Sequence, residues 1–139
     1  MLDERDAVFG AADFLTLHSP LTDETRGMIN RESIGKMKDG ARIVNAARGA
    51  LIDEEALAEA LASGKLAGAA LDVFSAEPYD GPLLGIDSVV VTPHLAASTD
   101  EAQDRAGVII AEQVCAALGG GLVSNAVNIP IVDKASLEI

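Results

Sequence analysis

Four short apolar runs separated by stretches of helical periodicity restrict this chain more than anything else in its sequence. The runs are residues 13–17 (DFLTL), 41–46 (ARIVNA), 67–74 (AGAALDVF) and 88–92 (SVVVT). A helix between two strands forces a crossover, so consecutive strands lie parallel and their carboxyl ends open on one edge. Ligands of such sheets bind along that edge. Arg48, Glu77 and His94 lie just past the second, third and fourth runs. A guanidinium, an acid and a base converging there suggest chemistry on a small anionic molecule. The expected fold class is α/β, with a mainly parallel sheet of four to five strands.

The connections carry their own signals. Residues 2–12 read as a short helix with Gly10 near its end. Thr22 is expected to cap a short helix through Arg26, and Asn30 another over residues 31–37, because side-chain oxygens there can accept orphan backbone N–H groups. Asp53 starts a helix with Leu57, Ala60 and Leu61 as its apolar stripe, and Gly64 closes it. The near-continuous apolar third run predicts burial on both faces. The last helix is expected to start at a capping box formed by Ser98 and Glu101. Its stripe is Ala102, Ala106, Ile109, Ile110, Val114, Ala117 and Leu118, and Gly119–Gly121 ends it. Val123, Val127, Ile129 and Ile131 alternate weakly, as in a fifth strand or a packed extended tail. The expected division is residues 1–121 as the α/β body and 122–139 as the tail.

Composition narrows function. The chain has 139 residues, one domain's worth, with a formal net charge of −12. That balance argues against nucleic acid and anionic membranes as partners, since phosphate binding relies on Lys and Arg. Aromatics are 3% of residues, so Ala, Val, Leu and Ile must fill the core. The lone cysteine, Cys115, cannot form an internal disulfide, which fits a reducing, cytoplasmic setting; a packing role is expected for it. The acidic start lacks the apolar stretch of a signal peptide, and no run approaches the ~20 apolar residues of a membrane span.

Several segments together resemble one family. Residues 37–53 (MKDGARIVNAARGALID) are similar to the signature of the D-isomer-specific 2-hydroxyacid dehydrogenases. Residues 12–20 (ADFLTLHSP), 71–78 (LDVFSAEP) and 92–99 (TPHLAAST) resemble other segments of that family, in the same order. Residues 101–107 (EAQDRAG) and 125–128 (NAVN) are most similar to its bacterial phosphoglycerate-oxidising branch, which serves serine biosynthesis. The resemblance implies a half-Rossmann, three-layer NAD-binding fold. It implies that Arg48 holds the substrate carboxylate, that His94 exchanges the proton of the 2-hydroxyl, and that Glu77 orients His94. By the same analogy Asp72 accepts from the nicotinamide carboxamide, while Ser19, Ala46, Ala47, Leu95, Ala96 and Ala97 line the cofactor crevice. His18 is read as either a packing residue or a cofactor neighbour. Ala96 departs from the family pattern, where glycine is usual; its methyl group is expected to crowd the cofactor or stiffen the loop.

A dinucleotide site of this kind also needs a G-x-G-x-x-G turn and an acidic residue about twenty positions on. These 139 residues contain no such turn. The expectation is therefore a fragment that carries the catalytic trio, binds NAD weakly or not at all, and is inactive alone. Its first strand would be a raw edge, so a homodimer through that edge or through the tail is expected. The alternative is a non-catalytic module that binds itself or its parent enzyme.

Overall fold

Leu15 and Leu17, Ala41 and Ile43, and Leu66, Ala69 and Leu71 are buried, and most of their immediate neighbours are not. This alternation gives the sheet one core face. The structure, a computed structural model, describes residues 2–123 and 126. Four strands, β1 (Phe14–Leu17), β2 (Ala41–Asn45), β3 (Leu66–Leu71) and β4 (Val89–Val91), pair in parallel in the order β1-β2-β3-β4. The expected parallel α/β sheet is found.

Strand order explains where the helices go. Each strand adds to the same side of its predecessor, so every right-handed crossover passes over the same face. Helices α1 (Leu2–Ala11), α2 (Arg31–Lys36) and α3 (Glu54–Ala62) accordingly supply Phe9, Ile34, Leu57 and Leu61 to a common core with the strands. Ile29, Ile43, Leu51, Leu57 and Leu83 are fully enclosed. The other face carries Phe14, Arg42 and Val90, with Phe14 67% exposed and the Arg42 guanidinium 5.4 Å from its ring centre. The two-sided burial expected of the third strand is found in part: Gly68 and Asp72 are buried as well as Ala69, Leu71 and Val73, while Ala67 is exposed and Ala70 half-buried.

Two helix starts agree with the sequence reading. Asn30 caps α2 by accepting from the N–H groups of Glu32 and Ser33, and Ser33 Oγ accepts from Asn30 N–H at 2.8 Å. Asp53 caps α3 by accepting from Ala56 N–H at 3.1 Å. Gly64, at φ 76°, takes the left-handed turn after α3 that a side chain would oppose. The helix expected over residues 22–26 is instead a turn. Thr25 Oγ1 accepts from Thr22 N–H and donates to Pro20 O. The backbone beyond cannot stay helical because it is spent on another segment: Gly27 N–H donates to Ala50 O, Ile29 N–H to Leu51 O, and Asp53 N–H to Ile29 O.

Contacts divide the chain into two units, Met1–Ala96 and Ala97–Ile139. In the second, α4 (Asp100–Leu118) begins one residue later than the expected capping box requires. Thr99, not Ser98, is the cap, and its hydroxyl accepts from Ala102 N–H at 3.1 Å. No residue of α4 is buried. Cys115 is exposed, so the packing role expected for it is not found. The expected tail strand falls mostly outside the described residues. Among the described residues, no helix is long and apolar enough to cross a membrane.

Candidate active site

The site begins at the last residue of β2. Asn45 is 1% exposed, a buried polar group at the end of an apolar strand. Its Oδ1 accepts from Ala47 N–H at 3.1 Å and its Nδ2 donates to Arg48 O at 2.9 Å. Both ends of the amide are thus satisfied, and the chain bends over it so that Arg48 leaves the sheet edge. Arg48 itself is exposed, with Nη1 donating to Ala47 O at 2.6 Å.

Gly49 makes the next contact possible. A side chain there would overlap the Phe74 carbonyl and the Ser75 nitrogen, so backbone touches backbone between the loops that follow β2 and β3. The second loop is held in turn by carboxylates. Ser75 N–H donates to Glu54 Oε1 at 2.7 Å, and Phe74 N–H donates to Glu77 Oε1 at 3.1 Å. The Phe74 ring stacks on Tyr79 with centroids 4.3 Å apart.

Glu77 then reaches the loop after β4. Its Oε2 lies 2.9 Å from His94 Nδ1. An ionised carboxylate only accepts, so this contact puts the proton of neutral His94 on Nδ1 and leaves Nε2 free. The hydrogen bond from His94, joined by that from Phe74 N–H, holds the Glu77 carboxyl below its ordinary range. His94 stands in the left-handed backbone region at φ 57°, uncommon for any residue other than glycine.

Asp72 lies beneath the same loop and is 7% exposed. Its Oδ1 accepts from the Thr92 hydroxyl and, at 2.7 Å, from Leu95 N–H; its Oδ2 accepts from Ala96 N–H at 2.8 Å. Burial pushes the Asp72 carboxyl up, but the bonds from Thr92, Leu95 and Ala96 outweigh it and hold the group below its ordinary value.

Arg48, Gly49, Phe74, Glu77 and His94 line one cavity of about 290 Å3. Asp72, Phe74, Glu77, Tyr79, Thr92 and His94 line an adjoining one of about 320 Å3. The three strand ends named from the sequence therefore meet. The remaining candidates do not line these two cavities. Ser19 and Ala47 are half-buried, while Ala46, Leu95 and Ala96 are exposed. Ala97 starts the second unit. His18 is exposed and hydrogen-bonds Thr16 Oγ1 at 2.9 Å. The backbone at Ala96 has no positive φ, so its methyl group causes no strain there. Asn45, Gly49 and Thr92 escaped the sequence reading. For Asn45 a signal exists: it is the polar member of an otherwise apolar inward row, Ala41, Ile43, Asn45.

Residues 1–96 match the family described as D-isomer specific 2-hydroxyacid dehydrogenase, NAD binding domain. The chain is 53% identical over 138 residues to the D-3-phosphoglycerate dehydrogenase of Methanocaldococcus jannaschii, covering 99% of this chain and 26% of that protein. It is 54% identical over 118 residues to the hydroxypyruvate reductase of Thermotoga maritima, covering 82% of this chain and 39% of that protein. The D-isomer specific 2-hydroxyacid dehydrogenase from Xanthobacter autotrophicus Py2, solved in complex with NADPH and MES, has a TM-score of 0.82 at 38% identity, covering 91% of this chain and 52% of that one. The chain spans about a quarter of the length of the phosphoglycerate dehydrogenases it matches. By its matched sequence and its parallel sheet, this chain belongs to the D-isomer-specific 2-hydroxyacid dehydrogenase family.

Proposed function

We propose that the chain contributes the catalytic part of the nucleotide-binding domain of an NAD-dependent 2-hydroxy acid oxidoreductase, with 3-phosphoglycerate as its substrate. The observation that carries this reading is His94 Nδ1 held 2.9 Å from Glu77, in a cavity that Arg48 also lines. The substrate choice leans on the strong identity to phosphoglycerate dehydrogenases. Arg48 binds the substrate carboxylate through its planar, two-pronged guanidinium. His94 takes the 2-hydroxyl proton on Nε2, and Glu77 stabilises the imidazolium that results. NAD, when bound, supplies the hydride acceptor.

The residues fit the nicotinamide end of that cofactor in part. Asp72 Oδ2 accepts one hydrogen bond, which leaves room for a second donor such as a carboxamide. Ser19, Ala46, Ala47, Leu95 and Ala96 would offer surface around it. The N–H groups of Leu95 and Ala96 are already spent on Asp72. The G-x-G-x-x-G turn that would cradle a pyrophosphate does not occur in these 139 residues. On this reading the 139-residue chain turns over nothing alone. An assay with D-3-phosphoglycerate and NAD is expected to show no rate. Adding a chain that bears the glycine-rich half and the substrate domain should restore one, and His94→Gln should then cost ~10²–10⁴-fold. A full rate from the 139 residues alone, or a restored rate indifferent to His94, would overturn it.

A second reading is a self-associating interaction module in the cytoplasm. It is favoured by the open row of Phe14 and Val90 and by β1, which among the described residues pairs on one side only. Light scattering on the chain, and capture of the complete enzyme, separate it from the first.

A further inference from the structure

We propose that Asp72 is a positioning residue: its carboxylate fixes the loop that presents His94, and so sets the alignment of the imidazole with Glu77. The inference uses the proposed function only for what His94 does, not for how it is held.

The donors to Asp72 bracket His94 on both sides. Thr92 lies two residues before it, and Leu95 and Ala96 are the two residues after it. His94 sits between them at φ 57°. A residue other than glycine stays in that region only where its surroundings hold it. Here the hold is chemically specific. Three donors converge on one group, and a carboxylate is the side chain that accepts from all sides. A protonated acid, or an amide, must turn a hydrogen toward at least one of these sites. Facing donor against donor, it would release an N–H of the loop.

Glu77 alone does not fix the ring. It grips Nδ1 but makes no bond to the backbone of residues 92–96. Its own loop is anchored elsewhere, through Phe74 and Ser75. The imidazole is therefore held from two directions, at its ring by Glu77 and at its backbone by Asp72. The other titratable groups that act on Asp72 are His94, which favours its charge, and Glu77, with which it shares mutual repulsion. A nicotinamide amine would be a fourth donor to Asp72; the loop already holds the other three positions.

The test needs no activity. In the 139-residue chain, nuclear magnetic resonance follows the ring-nitrogen shifts of His94 at one fixed pH, which report its Nδ1–H tautomer, and the amide exchange of Leu95 and Ala96, in the parent, Asp72→Asn, Glu77→Gln and Thr92→Val. Asp72→Asn is expected to speed exchange at Leu95 and Ala96 at least tenfold relative to the amides of α3. It should also weaken the His94 Nδ1–Glu77 bond, moving the ring-nitrogen shifts of His94 toward those of Glu77→Gln. Thr92→Val, which removes one donor and keeps the carboxylate, should give smaller changes of the same sign. If Asp72→Asn does not fold, the parent chain decides: the amide shifts of Leu95 and Ala96 should follow a single carboxyl titration, absent from the amides of α3. The proposal is overturned if the His94 ring-nitrogen shifts stay put in Asp72→Asn, if all amides quicken alike, or if those two amide shifts are flat across carboxylate titration. A reconstituted enzyme with no turnover would count against the proposed function and leave these readings untouched.

Discussion

At the scale of single residues, Gly49 and Glu77 make the sharpest claims. Gly49→Ala would drive a methyl group into the Phe74 carbonyl. The loop after β3 must then retreat, at about 1–3 kcal/mol by analogy with overpacking. A urea midpoint that falls together with near-ultraviolet signal from the Phe74–Tyr79 stack is the expected result; an unchanged midpoint would show that the two loops do not touch. Glu77 makes a claim about pH. Its folded carboxyl lies below the ordinary value because His94 and Phe74 N–H hydrogen-bond the charged form. Its contribution is thus present above the unfolded pKa and lost as pH falls through the folded one. Glu77→Gln should flatten the acid limb of stability measured over that window. Arg48, Glu77 and His94 were legible because each follows an apolar run and sits in a family motif. Asn45, Gly49 and Thr92 were not, because their work is done between loops far apart in sequence. Thr92 and Asp72 are twenty positions apart, and nothing local in either segment announces the bond.

At the scale of elements, legibility tracks locality. Asn30 and Asp53 were readable as caps because their partners lie two and three residues away. Asp53→Ala should cost ~1 kcal/mol by thermal or urea unfolding. Leu57→Ala, on the buried stripe of the same helix, should cost ~2–5 kcal/mol, since a fully enclosed side chain leaves a cavity. If the cap costs more than the stripe, packing of α3 has been misjudged. The failed helix at residues 22–26 shows the converse. Its sequence permits a helical turn, yet the following residues are claimed by the strand-like ladder with residues 50–53. The one-residue slip from Ser98 to Thr99 is of another kind. Both hydroxyls can cap, and the choice turns on where the first helical residue falls.

At the scale of the molecule, the order of strands could not be read from pattern alone. Helical stretches between apolar runs dictate parallel pairing, but not that each strand joins the same side of the last. That order puts α1 to α3 over one sheet face and leaves Phe14, Arg42 and Val90 on the other. A second copy pairing along β1 would shelter part of that row. Light scattering at ~100 μM should then report a dimer, and Phe14→Lys should return it to monomer without loss of fold, as lysine blunts exposed edges. A monomer in both would remove self-association from consideration. One more consequence lies at the far margin of the sheet. β4 engages β3 through three residue pairs, and the loop that carries His94 follows its end. Fraying begins where a ladder is shortest. On warming, His94 should therefore lose its post while β1 to β3 still stand, and loss of the His94–Glu77 contact should precede melting.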